Sequence, residues 1–246
     1  MSYDQLPERL RKTCLALLLA MISPLHADLA ANPSFLDERF VTLDDWQPMT
    51  FPNIKRHSTY SIHPCGDKTC LLMESDNSAS GLLWKKTFNV YEYSFLKWRW
   101  KVSNVYRQGD SATKEGDDYP ARLYVLFNYD PEKASAPKRF KYELAKLLHG
   151  QFPPDSSISY IWDNRETTKP FIVNAYASEA RMIPVSSGSA QVDTWQEYSV
   201  NMLQDYKMAF GQDPPPLASL AIMCDSDNTQ ESAKAMVDYI RIGSVP

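Results

Sequence analysis

The chain has 246 residues, a net charge of −4 and 43% hydrophobic residues, enough length and apolar content for one sizeable core. The acidic balance argues against a nucleic-acid partner, whose phosphates call for a basic surface. No apolar run approaches the roughly 20 residues that cross a bilayer as a helix, so no integral membrane span is expected.

Residues 1–27 read as a secretory signal peptide. Arg9, Arg11 and Lys12 make a basic start, Cys14 to Ile22 is unbroken apolar sequence, and Ser23 to Ala27 is a more polar stretch ending in a small residue. That order places cleavage after Ala27 and the protein in the periplasm or outside the cell. Residues 28–246 then form one domain with a net charge of −5, because the leader holds three basic and two acidic residues. Cys65, Cys70 and Cys224 remain. In HPCGDKTC, Gly66 and Asp67 supply a turn, and in an oxidising compartment a Cys65–Cys70 disulfide closing it is expected. Zinc would need two further ligands and finds only His63 nearby. Cys224, in SLAIMCD, reads as a buried thiol at a strand end.

Alternation of apolar and polar residues then dominates the chain. It predicts strands over 59–63, 69–75, 80–88, 96–103, 119–127, 158–162, 171–175, 196–201, 219–224 and 237–242. The clearest is FLKWRWKVS, where Leu96, Trp98, Trp100 and Val102 face one way and Lys97, Arg99 and Lys101 the other. Two segments show helical spacing instead. PKRFKYELAKLLHG repeats Phe140, Leu144 and Leu147 or Leu148, and VNMLQDYKMAFGQDPPP repeats Leu203, Tyr206 and Phe210 before Gly211 and a proline run. The expected fold is an all-β, jelly-roll-like antiparallel sandwich with two accessory helices.

The polar loop NVYRQGDSATKEG, residues 104–116, is longer than most connections and leads into GDDYPARLYVLF. In that strand Tyr119, Ala121, Leu123, Val125 and Phe127 form an apolar face, while Asp118, Arg122 and Tyr124 share the other with Leu126. Asp118 and Arg122 stand about 13 Å apart along a strand, too far to pair simply with each other. Asp117, Asp118, Arg122 and Tyr124 therefore read as a ligand-binding group, with Arg99 beside them. The alternative is that the aspartates close the loop and Arg122 pairs with an acid on the next strand. Lys97, Arg99 and Lys101 read either as an anion-attracting patch or as a solvated face.

CDSDNTQE offers Asp225 and Asp227 as calcium ligands. It is not an EF-hand loop, since Gln230 stands where glycine is required and Met236 where glutamate is required. The alternatives are a calcium site completed by other loops and a hydrogen-bonded turn; no other cofactor is implied. Catalytic patterns are missing. The laminarinase-type Glu-x-Asp-x-x-Glu begins at Glu115 and Asp117 but meets Pro120 instead of the last acid, so the required carboxylate pair is not shown. No Gly-x-Ser-x-Gly elbow or phosphate-binding glycine loop occurs.

The ordered segments SASGLLW, LKWRWKV, GDDYPARLYVLF, YIWDN, FGQDPPP, IMCDSDNT and DYIRIG resemble an exported bacterial family known as domain-of-unknown-function family 3047. The resemblance implies a jelly-roll-like sandwich and carries no catalytic residue. The functional expectation is an exported module that binds a glycan or cell-envelope component. Alternatives are an enzyme degrading acidic polysaccharides, with Tyr124 as proton donor and Arg122 neutralising a uronate, and a structural envelope protein.

Overall fold

The computed structural model describes residues 34–132, 134–137, 139, 140, 142, 143 and 153–246. The leader expected over 1–27 lies outside these residues. The strands are β1 Leu36–Glu38, β2 Trp46–Met49, β3 Thr59–Cys65, β4 Lys68–Asp76, β5 Ala79–Trp84, β6 Phe88–Asn89 and β7 Phe95–Val102, of which β1 and β2 lie outside the runs expected from alternation. They continue with β8 Arg122–Phe127, β9 Ser156–Asp163, β10 Ile172–Val173, β11 Ala180–Ser187, β12 Gln196–Asn201, β13 Leu217–Asp225 and β14 Ser232–Gly243.

Two sheets result. One has six strands in the order β12-β7-β14-β4-β3, with β1 added to β14. The other has eight in the order β10-β11-β9-β8-β13-β5-β2, with β6 added to β13. Their inner faces make the core of a β-sandwich. Trp98 on β7 meets Tyr160 on β9 with ring centroids 5.1 Å apart, which joins the sheets. Leu96, Trp98, Trp100 and Val102 are buried as expected. Lys97, Arg99 and Lys101 are half-exposed rather than free, because Lys97 pairs with Glu197 at 2.8 Å and Arg99 with Asp238 at 2.9 Å.

The sandwich is not wholly antiparallel. β9 and β11 run parallel, which a chain achieves only by crossing over between the strands. Residues 164–179, containing β10, supply that crossover. β11 was hidden from the sequence reading by Pro184, which has no amide to donate to a ladder. The structure accommodates it beside a register shift between Pro184 and Ser186.

Among the described residues one complete helix is defined, where two helices were expected. It is α1, Met202–Phe210. The Asn201 side chain accepts from the amides of Leu203 and Gln204, satisfying donors that the first turn leaves open. Gly211, at a φ of +72°, ends the helix in the left-handed conformation glycine tolerates. Tyr206 is buried against Phe127, with ring centroids 4.6 Å apart. Residues 144–150 of the other expected helix fall outside the described residues.

Cys65 and Cys70 form the expected disulfide across the β3–β4 turn, with Cα atoms 5.9 Å apart. Gly66 holds a φ of +71° in that turn. Closing so short a loop contributes roughly 2 kcal/mol in the chain-entropy account. Reduction is therefore expected to add two protons to the intact mass and lower the melting temperature by about 4–8 °C. An unchanged mass after reductant and denaturant would mean the bridge does not form.

Candidate functional site

The strand that opens at Arg122 divides its side chains as alternation requires. Leu123, Val125 and Phe127 enter the core, whereas Tyr124 and Leu126 are half-buried on the outer face of the eight-stranded sheet. Arg122 shares that outer side but is only 4% exposed. Its Nε donates to Asp225 Oδ1 at 2.9 Å, and Nη2 donates to Asp225 Oδ2 and to the Asp117 carbonyl. Nη1 lies 3.6 Å from Asp117 Oδ1, and the guanidinium sits over the Tyr119 ring, 4.3 Å from its centroid. Asp225 comes from β13, the neighbouring strand. Pairing with an acid on the next strand is thus the reading that holds for Arg122.

The two aspartates before the strand have separate tasks. Asp117 Oδ2 accepts from Asn174 Nδ2 at 3.0 Å. Asp118 is wholly buried and accepts the Thr229 amide at 2.6 Å. The preceding loop is folded against the sandwich. Asn164 clips it by accepting the Tyr106 amide at 2.8 Å and donating to the Asp118 carbonyl at 2.6 Å. Gly109 lets Asn164 approach: a Cβ at that position would stand 2.1 Å from its side-chain nitrogen.

Burial governs the electrostatics. It pushes the Asp225 carboxyl up to about 8 against the opposing pull of Arg122. Burial also raises Asp118, with Thr229 hydrogen bonding and the Arg122 charge opposing. The Tyr124 hydroxyl is pushed up to about 12 by burial, again against Arg122. For Arg122, burial weakens proton binding, but Asp225, Tyr124, Asp117 and Tyr119 together outweigh it, Asp225 most of the four, and the guanidinium stays charged.

A cleft of about 520 Å³ opens above Tyr124. Arg122, Asp117 and Asp225 line it together with Phe51–Ile54 and Tyr176, which no alternating run covers, with Asn174, and with Asp227 and Asn228 of the CDSDNTQE loop. The loop over 104–116 supports a wall rather than roofing the cleft. The Lys114 carbonyl accepts from Tyr176 Oη at 3.1 Å and from Asn228 Nδ2 at 2.7 Å. A second hollow, of about 460 Å³, lies along the same sheet face beside Leu126, Ser219, Leu83 and Gln47.

Arg99 is not part of this site. It lies on β7 in the six-stranded sheet, where it pairs with Asp238 and stacks over Trp195. Alternation shows which face of a strand a side chain occupies, not which sheet the strand joins. Asp225 and Asp227, read from the sequence as calcium ligands, do meet Asp118: one carboxylate oxygen from each lies within 4.8 Å of the others.

A family model matches residues 44–241. The chain belongs to the family described as protein of unknown function (DUF3047). A search of curated proteins found no significant match. Among solved structures, this DUF3047 chain is similar to the family 11 carbohydrate-binding module of cellulosomal cellulase Lic26A-Cel5E of Clostridium thermocellum, at 9% identity and a TM-score of 0.44, over 88% of this chain and 98% of that one. The K1 cleaved adhesin domain of Lys-gingipain from Porphyromonas gingivalis follows at 11% identity and a TM-score of 0.37, over 86% and 98%. Endoglucanase 3 of Trichoderma harzianum, from family GH12, aligns at 7% identity and a TM-score of 0.40, over 87% and 98%. These likenesses are remote and their stated roles differ, so the functional argument rests on the site itself.

Proposed function

We propose that this protein is an exported, jelly-roll-type sandwich that binds a glycan, free or in the cell envelope, in the cleft over Tyr124. The observation that carries the reading is the composition of that cleft. Phe51, Tyr124 and Tyr176 present ring surface, and Asn53, Asn174, Asn228 and Asp227 present amides and a carboxylate. A sugar ring needs this pairing, apolar area for its C–H face and polar groups for its hydroxyls. Export is supported by the leader-like residues 1–27 and by the disulfide. Among the described residues no helix is long and apolar enough to cross a membrane.

The cleft favours neutral or amine-bearing glycans over uronates. Arg122 donates to Asp225 and Asp117, while Asp117 and Asp227 add negative charge to the lining. This works against the polysaccharide-degrading alternative, which needs Arg122 to neutralise a uronate. That alternative also needs an activated tyrosine, and Tyr124 is shifted upward to about 12. The structural-envelope alternative predicts that no oligosaccharide binds in the cleft.

Screening against neutral and uronate-containing oligosaccharides at two ionic strengths tests the proposal. Binding is expected for a neutral ligand with little loss at higher salt, and for an amino-sugar ligand with some loss as its attraction to the aspartates is screened. Tyr176 is exposed, so Tyr176→Ala is expected to weaken binding about tenfold, near 1.4 kcal/mol, with the melting temperature nearly unchanged. Retention of uronates alone, or full affinity in Tyr176→Ala, would reject the assignment of this cleft.

A further inference from the structure

Carboxylates drawn from distant parts of a chain into a common interior repel one another and lose their hydration. Asp118 precedes β8, Asp225 ends β13 and Asp227 lies in the loop that follows. Asp118 and Asp225 are buried, at 0% and 2% exposure, and Asp227 is partly exposed at the cleft wall. Asp117 and Asp225 lie against the Arg122 guanidinium, and Asp118 and Asp227 gather beside Asp225, so four carboxylates share this one cation. If all are ionised, the group carries a charge of −3 with Arg122 counted, and Arg122 alone does not balance it.

A second, independent feature is an orphaned acceptor. Asp118 uses Oδ2 to accept the Thr229 amide, but its Oδ1 is buried without a hydrogen-bond partner. A wholly buried carboxylate oxygen left unpaired carries a large desolvation cost. Asp225 also has capacity left. Its Oδ1 accepts from Arg122 Nε and the Tyr119 amide and its Oδ2 from Arg122 Nη2, whereas an ionised carboxylate offers about four lone-pair positions.

We propose that Asp118, Asp225 and Asp227 bind one calcium ion. Their oxygens lie within 4.8 Å of one another, and two ligands of one calcium at about 2.4 Å can be separated by at most about 4.8 Å. Magnesium demands near-ideal octahedral geometry and dehydrates reluctantly, so a site built from three carboxylates of the chain suits calcium better. All three donors are hard carboxylate oxygens and no histidine or cysteine joins the group, which argues against zinc or copper. The ion lowers the residual charge to −1 and gives Asp118 Oδ1 a partner. It also ties the start of β8 to the loop carrying Asp227 and Asn228, which form a wall of the cleft.

The test uses full-length protein stripped with chelator and dialysed into metal-free buffer, with calcium chloride as the probe and magnesium chloride as comparator. Calorimetry is expected to show one calcium per chain, with a dissociation constant of about 1 mM or tighter, and weaker binding of magnesium. The melting temperature is expected to rise with the logarithm of calcium concentration. Asp227 is partly exposed, so Asp227→Asn is expected to fold and to lose roughly tenfold or more in calcium affinity. Asp118→Asn, checked for folding by circular dichroism, is expected to lose the calcium-dependent rise in melting temperature. Folded, chelated protein that shows no calcium heat and no shift would overturn the proposal. So would unchanged affinity in both variants. Neither result bears on whether the cleft binds glycans, which is read separately by the Tyr176→Ala comparison.

Discussion

Arg122→Ala is expected to destabilise the protein by about 3–5 kcal/mol, the range for breaking a buried pair by removing one partner. In a domain of this size that corresponds to a fall in melting temperature of roughly 10–15 °C. The cause is what stays behind. Asp225 keeps its burial but loses its bidentate donor, and the Asp117 carbonyl loses its contact with Nη2. Asp225→Asn should cost less, because it relieves the crowding of acids while keeping an acceptor for the guanidinium. The pH dependence has a definite sign. Burial already raises the Asp225 carboxyl to about 8, and removing Arg122 takes away the group that opposes this rise. The folded variant then holds a proton that the unfolded chain releases near pH 4. Its stability is fullest below that value and declines as pH rises through the folded pKa. Native Asp225 itself stays protonated until about pH 8, so denaturant titrations in chelator at about pH 6 and pH 9 should show the larger deficit at the higher pH. Unchanged stability, with loss of a glycan ligand only, would return Arg122 to the role of ligand anchor.

The features legible in the sequence were those set by local periodicity. Four large apolar residues at every second position make the inner face of β7, and any other register would expose Trp98 and Trp100 to water. Asn201 and Gly211 bracket α1 because capping chemistry is local. The hairpin disulfide was likewise readable from a two-residue turn between cysteines. The candidate site was only half legible for the opposite reason. The outer-face placement of Arg122 and Tyr124 follows from alternation, but the partner of Arg122 lies 103 residues away and depends on which strand β8 pairs with. Strand pairing also separates Arg99 from Arg122, placing them on different sheets. The same limit applies to the acidic loop. CDSDNTQE displays Asp225 and Asp227, while Asp118 joins them only through tertiary folding. The cleft walls at Phe51–Ile54 and Tyr176 lie outside every alternating run, and Asn174, within the run read over 171–175, falls just past the end of β10.

Trp100→Ala is expected to cost about 3–5 kcal/mol, as other aromatic-to-alanine changes in cores do. Trp100 is fully buried, 5.5 Å from Trp98 between ring centroids and 6.2 Å from Tyr198. The cavity would open beside the layer where Trp98 meets Tyr160 and links the two sheets. The contribution of Trp100 comes from packing. Its indole Nε1 has no hydrogen-bond partner, so Trp100→Phe removes volume without breaking a polar contact. Trp162 provides the contrast. It is equally buried, but its Nε1 donates to the Gly188 carbonyl at 3.0 Å. Trp162→Phe therefore loses that hydrogen bond as well as volume, and should cost about 1 kcal/mol more than Trp100→Phe. Chemical denaturation of the three variants separates these effects. Equal losses for the two phenylalanine variants would show that the Trp162 hydrogen bond contributes nothing net. A Trp100→Ala loss below about 1 kcal/mol would contradict the inward register of β7 on which the whole sandwich depends.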